Sequence, residues 1–235
     1  MPETSPKPSL ATLVTRLSTI SELAIGEHLL RRDPLAKKVP AQLRGSYIAG
    51  AIACGVSEGA QVGELLRAQG LSVPEYLATQ GVVIRDAPAA GWTGYVQLAQ
   101  YFPKGSGGLI ELAGEPIAAL ERLMGDSDLW FTLPTHAPRV LDVVLAHELF
   151  HHIETHCPDV FTQATKVTAW EFGRFRRTKA LKGLSEIAAT AFAQRLTGLS
   201  YSPHLLTIIA GAARDLEFGN LILAELLEIQ TNIGG

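Results

Sequence analysis

Pro138 and Pro158 bracket a stretch that reads as one long helix. That helix places His147 and His151 on the same face. Nothing between Arg139 and Cys157 breaks it, and Val140-Leu141-Asp142-Val143-Val144-Leu145-Ala146 is apolar and helix-compatible, as a buried helix should be. Pro158 ends it near His156, because the residue before a proline is pushed out of the helical region. Side chains four residues apart lie about one turn apart on one face. Both imidazoles of His147-Glu148-Leu149-Phe150-His151 can therefore reach one ion. Glu148 follows the first of them and points toward the same pocket, where a carboxylate can hold a water and take its proton. The motif contains two ligands and a base, but not a full site.

The third ligand has to come from elsewhere. An extended pattern used by one subclass of zinc peptidases needs Gly three residues past the second His and His six past it. Here those positions are Glu154 and Cys157, so the pattern fails unless Cys157 substitutes. His152 and His156 form a second pair at the same spacing, displaced around the helix, and read as solvated or supporting side chains. Two downstream carboxylates remain, Glu171 and Glu186. The neighbours of Glu171 do not make a clean amphipathic helix. Glu186 opens Glu186-Ile187-Ala188-Ala189-Thr190-Ala191-Phe192-Ala193, a helix rich in small residues and suited to close packing. A lone carboxylate on its otherwise apolar first turn needs a partner, and a metal would be one. Glu186 is favoured; the bland alternative is an acid complementing a helix start.

Elsewhere, helical spacing covers residues 10–31, with Ser21 able to start a second helix within them, then 41–54 and 57–69. Gly70 closes the last of these as a C-terminal cap. Ser72-Val73-Pro74-Glu75 is a capping box with Pro in the first turn. Residues 82–84, 94–102 and 109–112 read as strands and 115–124 as a short helix. A further strand is expected at 129–133, and helices at 184–196, 203–218 and 221–229. Residues 159–178 are ambiguous. Helices, then a small and mostly antiparallel sheet, then helices again is an α+β order. Residues 1–70 are expected to form an N-terminal helical addition to a domain spanning 71–235.

Composition excludes more than it assigns. The chain has 235 residues, 47% of them hydrophobic, and a formal charge of −3, so a sizeable core can form and no basic stripe argues for nucleic acid. The densest basic run, from Arg174 to Lys182, reads as a solvated face. Two cysteines, Cys54 and Cys157, are too few for a disulfide framework. With no signal-peptide pattern and no apolar span of membrane length, a cytoplasmic protein is the default expectation.

Three blocks together resemble the ImmA/IrrE family of metallopeptidases. The first runs from Val73 to Ile84, a short helix ending in Gly81 and leading into a strand. The second is Leu145-Ala146-His147-Glu148-Leu149-Phe150-His151, preceded by strand-like Gly108-Leu109-Ile110-Glu111-Leu112. The third runs from Glu186 to Ala193, a metal-binding Glu with Ala three residues on and Phe-Ala at six and seven. The resemblance implies a zincin-like core of gluzincin type. In it His147, His151 and Glu186 hold zinc, Glu148 is the general base, and a protein or peptide is the substrate. The family commonly has Gly where Phe150 stands and Asn where Thr190 stands.

A hydrolytic site also needs a donor for the developing oxyanion. Tyr201 and His204, just beyond the Glu186 helix, are the candidates. His28 and His136 carry no motif and read as structural or solvent-facing. The competing expectation is a regulatory or partner-binding protein whose metal is structural, closed by a fourth protein ligand such as His152, His156 or Cys157.

Overall fold

The computed structural model of the chain describes residues 9–87, 96–125 and 139–234. The strand expected at 129–133, the start of the 94–102 segment and His136 lie outside them. Helix α1 (Leu10–Leu17) is capped by Ser9 and α2 (Glu22–Arg31) by Ser21, so residues 10–31 divide at the Ser21 start signal. A 3-10 turn (Ala36–Lys38) leads to α3 (Ala41–Gln69), ended by Gly70 at φ 65°. In α4 (Val73–Thr79) the capping box forms, with the Ser72 N–H donating to Glu75 Oε2 at 2.7 Å.

Helix α3 is one continuous helix, where the sequence reading expects a break at residues 55–56. Gly55, at the expected break, has a packing role inside the helix. A Cβ on Gly55 would run into the carbonyl oxygen of Ala188, and one on Gly59 would lie 2.9 Å from that of Phe192. These glycines let α3 approach the backbone of α8 (Lys182–Thr197), the most extensive helix contact among the described residues.

Strands β1 (Val82–Asp86), β2 (Ala99–Lys104) and β3 (Gly107–Leu112) form a sheet in the order β1-β3-β2. It is mixed: β1 runs parallel to β3, and β2 antiparallel to it. After α5 (Gly114–Met124) comes the motif helix α6 (Val140–His156). The ambiguous segment resolves into a four-residue helix α7 (Phe161–Ala164) and an antiparallel hairpin, β4 (Lys166–Phe172) and β5 (Phe175–Ala180). Helix α9 (His204–Arg214) stops at Asp215, whose carboxylate accepts from the N–H groups of Glu217 and Phe218 and so starts α10 (Leu216–Gly234). The expected helix over 203–218 therefore breaks at an Asp start signal.

The protein is α+β and mostly helical. Its core is continuous across the expected boundary at residue 70: Leu30, Ile48 and Ala51 belong to the same buried cluster as Leu149, Phe192 and Ile229. α6 and α8 pack side by side, with Phe150 and Phe192 fully buried and their ring centroids 5.6 Å apart. Phe150, in the position where a Gly is common in the family resembled, thus locks the motif helix to the helix carrying Glu186. No described helix is long and apolar enough to cross a membrane.

Candidate metal centre

The α6–α8 pairing brings His147, His151 and Glu186 together. His147 Nε2 and His151 Nε2 are 3.2 Å apart, and Glu186 presents Oε2 at 3.3 Å from His147 Nε2 and Oε1 at 3.7 Å from His151 Nε2. One donor atom from each lies within 4.8 Å of the others, so the group can hold a metal ion. All three line a cavity of about 450 Å³.

His151 is held from behind. Its Nδ1 lies 3.0 Å from Glu154 Oε1, and Glu154 in turn accepts from Thr162 Oγ1 at 2.7 Å, from Gln163 Nε2 at 3.3 Å and from Ser185 Oγ. With Nδ1–H given to Glu154, Nε2 is the nitrogen that faces Glu186 and would give up its proton to a metal. Burial works against charge on this ring, but the Glu154 hydrogen bond and the Glu186 and Glu148 carboxylates outweigh it and hold its pKa up to about 9. Protein packed around Glu186 resists its ionisation, yet the bond to His147 and the charge of the two imidazoles bring it down to about 2.

Glu148 is buried beside the donors at 5% exposure, and burial raises its pKa against the opposing pull of His147 and His151. The backbone of Tyr101, beside the carboxylate, opposes that rise more weakly. Tyr101 lies on β2, an edge strand of the three-stranded sheet that packs along α6. Its hydroxyl donates to the carbonyl of Gly107 at 2.9 Å and so accepts from His152 Nδ1 at 3.0 Å.

Of the two oxyanion candidates, His204 lines the cavity, at the start of α9. Burial, reinforced by His28, pushes its pKa down to about 3, so the ring is neutral. Tyr201 is not among the lining residues. It belongs to the hydrophobic core, where burial pushes its phenol up to about 12. Glu171 is on the exposed β4 strand and does not line the cavity. His152 is engaged with Tyr101, His156 Nδ1 lies 2.8 Å from the His152 carbonyl, and Cys157 is exposed and free. His28 is fully buried, with Nδ1 3.1 Å from Glu225 Oε1 and its ring centroid 5.7 Å from that of His204.

Glu154, Ser185 and Tyr101 are the site residues that sequence reasoning passes over, whereas His152 has the supporting place expected of it. Glu154 alone carried a signal: an acid one turn past a candidate ligand on a helix that is otherwise buried. Tyr101 and Ser185 come from other segments, and only the packing brings them in.

No family profile, curated protein or solved structure matches the chain.

Proposed function

We propose that this protein is a zinc-dependent endopeptidase of gluzincin type, similar to the ImmA/IrrE metallopeptidases, acting on a protein or peptide. One observation carries the reading: two histidines and a carboxylate converge on one point of a cavity wall, with the buried Glu148 beside them. Donors bound about 2.0–2.1 Å from a tetrahedral zinc lie roughly 3.3 Å from one another. Separations of 3.2, 3.3 and 3.7 Å fit that spacing, and a two-nitrogen, one-oxygen set suits zinc. Three protein donors open to a cavity are the catalytic pattern, whereas a structural zinc is enclosed by four. His152 and His156, candidates for a fourth ligand, are engaged elsewhere.

When bound, zinc would polarise a carbonyl and make its water acidic near neutral pH. The chain's own residues supply the rest. Glu148, its pKa raised by burial, takes the water proton and can return it to the leaving amine. The Tyr101 backbone lies beside the carboxylate that does this, and the His152–Tyr101 bond holds that part of β2 in place. The neutral ring of His204 can donate to charge developing on the substrate oxygen. Gln97, Leu98, Ala99 and Gln100 line the same cavity along the edge strand, where an extended peptide can add its own backbone hydrogen bonds.

The test is metal content and metal dependence together. Purified protein should carry close to one zinc per chain by mass spectrometry of the elements. Casein cleavage should stop on chelation and return with zinc. Cleavage indifferent to chelation contradicts the reading.

A further inference from the structure

The β4–β5 hairpin is a surface that the centre itself does not use. Among the described residues it pairs only with itself, turning at Gly173 with φ 57°. The register sets Trp170 opposite Arg177 and Phe172 opposite Phe175, so these four side chains share one face. The aromatic residues on it are 55%, 72% and 60% exposed for Trp170, Phe172 and Phe175. Trp170 and Phe172 stack at 6.2 Å with an 18° angle between rings, and the Arg174 guanidinium lies 5.5 Å from the Phe175 centroid. Large aromatics gathered on one exposed face mark a binding surface more often than scattered apolar residues do.

Charge and position say what it fits. Residues 166–180 hold five Lys and Arg against one carboxylate, a net +4 in a chain whose total is −3. Lys37 and Lys38 add two exposed cations on the 3-10 turn that packs against β4. An occupant is therefore anionic, and it carries apolar groups to cover the rings. β5 runs straight into Ala180, Leu181 and Lys182, which line the metal-centre cavity. The base of the hairpin therefore adjoins the cavity.

We propose that the β4–β5 hairpin is a docking surface for an acidic segment of the polypeptide substrate, with apolar side chains set among its carboxylates. The substrate part of this rests on the peptidase reading above. Carboxylates pair with Arg174 and Arg177, apolar side chains cover Trp170, Phe172 and Phe175, and the neighbouring stretch of chain enters the cavity.

The experiment uses full-length zinc-loaded protein with Glu148→Gln, so that a bound peptide stays intact. Fluorescence anisotropy follows a labelled peptide alternating Asp or Glu with Leu or Phe, and a counterpart with Lys and Arg in place of the acids. The acidic peptide should bind and the basic one should not. Adding Arg174→Glu and Arg177→Glu should weaken binding on the order of tenfold or more, and raised salt should weaken it as well. A separate set, Trp170→Ser, Phe172→Ser and Phe175→Ser, should weaken it comparably and serves if the charge-reversed protein does not fold. Equal binding of both peptides, unchanged affinity in the folded variants, or binding confined to phosphatidylserine vesicles or a single-stranded oligonucleotide overturns the proposal. Wild-type cleavage of casein is scored in parallel. Its absence sinks the peptidase reading alone, because the anisotropy still reads the hairpin.

Discussion

Glu154 Oε1 lies 3.0 Å from His151 Nδ1, and the hydrogen bond between them turns His151 Nε2 toward Glu186. The carboxylate is itself pinned by Thr162 on α7 and by Ser185 on α8. Three helices thus agree on the orientation of one imidazole. Carboxylates placed behind metal-binding histidines typically contribute 10–100-fold to metal affinity. Glu154→Gln should weaken zinc binding by about that factor, with a smaller loss for Ser185→Ala. Chelator competition with a chromophoric indicator checks both.

The same bond makes metal affinity depend on pH. Without metal His151 holds its proton up to about pH 9, and zinc must displace that proton to bind. Affinity should therefore rise with pH through the neutral range and level off near 9. Its slope should be about one decade per pH unit, the value for one displaced proton. Competition at several pH values measures it. In Glu154→Gln the plateau should move to lower pH, because the largest interaction raising that pKa is gone.

Acid should destabilise the fold partly through His28. Burial lowers its pKa below the ordinary 6.5, despite the Glu225 carboxylate beside it. The unfolded chain takes up a proton near pH 6.5 that the folded chain refuses until lower pH. Stability contributed by the neutral ring is therefore complete above 6.5 and is lost as pH falls toward the folded value. The slope from this one group is at most about 1.4 kcal/mol per pH unit. Urea unfolding at pH 7.0 and 5.5 should show a smaller drop for His28→Leu than for wild type.

Gly55→Ala tests the helix contact that places Glu186. On propensity alone, Ala would favour the helix by about 1 kcal/mol. A methyl there meets the Ala188 carbonyl, which is backbone and cannot rotate away. Forced overpacking costs roughly 1–3 kcal/mol, so the steric effect should win and the variant should melt lower. Because Ala188 sits on the Glu186 helix, zinc affinity should fall with it.

The sequence carries the local parts of this structure well. The His147–His151 spacing, the Ser21 and Ser72 caps, Gly70 and the packing of small residues after Glu186 are all signals within a few residues, and each forms as read. What it does not carry is set by contacts between distant segments. The helical runs 41–54 and 57–69 join into one helix because Gly55 is pressed against the backbone of another helix, and a lone glycine does not announce that. The mixed sheet follows from β1 pairing with β3 rather than with β2, its neighbour in sequence, and no local pattern specifies that. Tyr101 reaches Glu148 through its backbone, so its side chain gives no hint of the role. Residues 203–218 look like one helix because Asp215 fits a helical pattern as well as it fits a cap.

The central claim is that Glu148 takes a proton within a centre that other residues build. Glu148→Gln keeps the shape of the side chain and removes the base. Protein with this substitution should bind zinc with the wild-type stoichiometry, since His147, His151 and Glu186 are untouched. Cleavage of casein at matched zinc content should fall by about 10²–10⁴, the usual contribution of a general base. Zinc content and cleavage both at wild-type levels in Glu148→Gln would contradict the account.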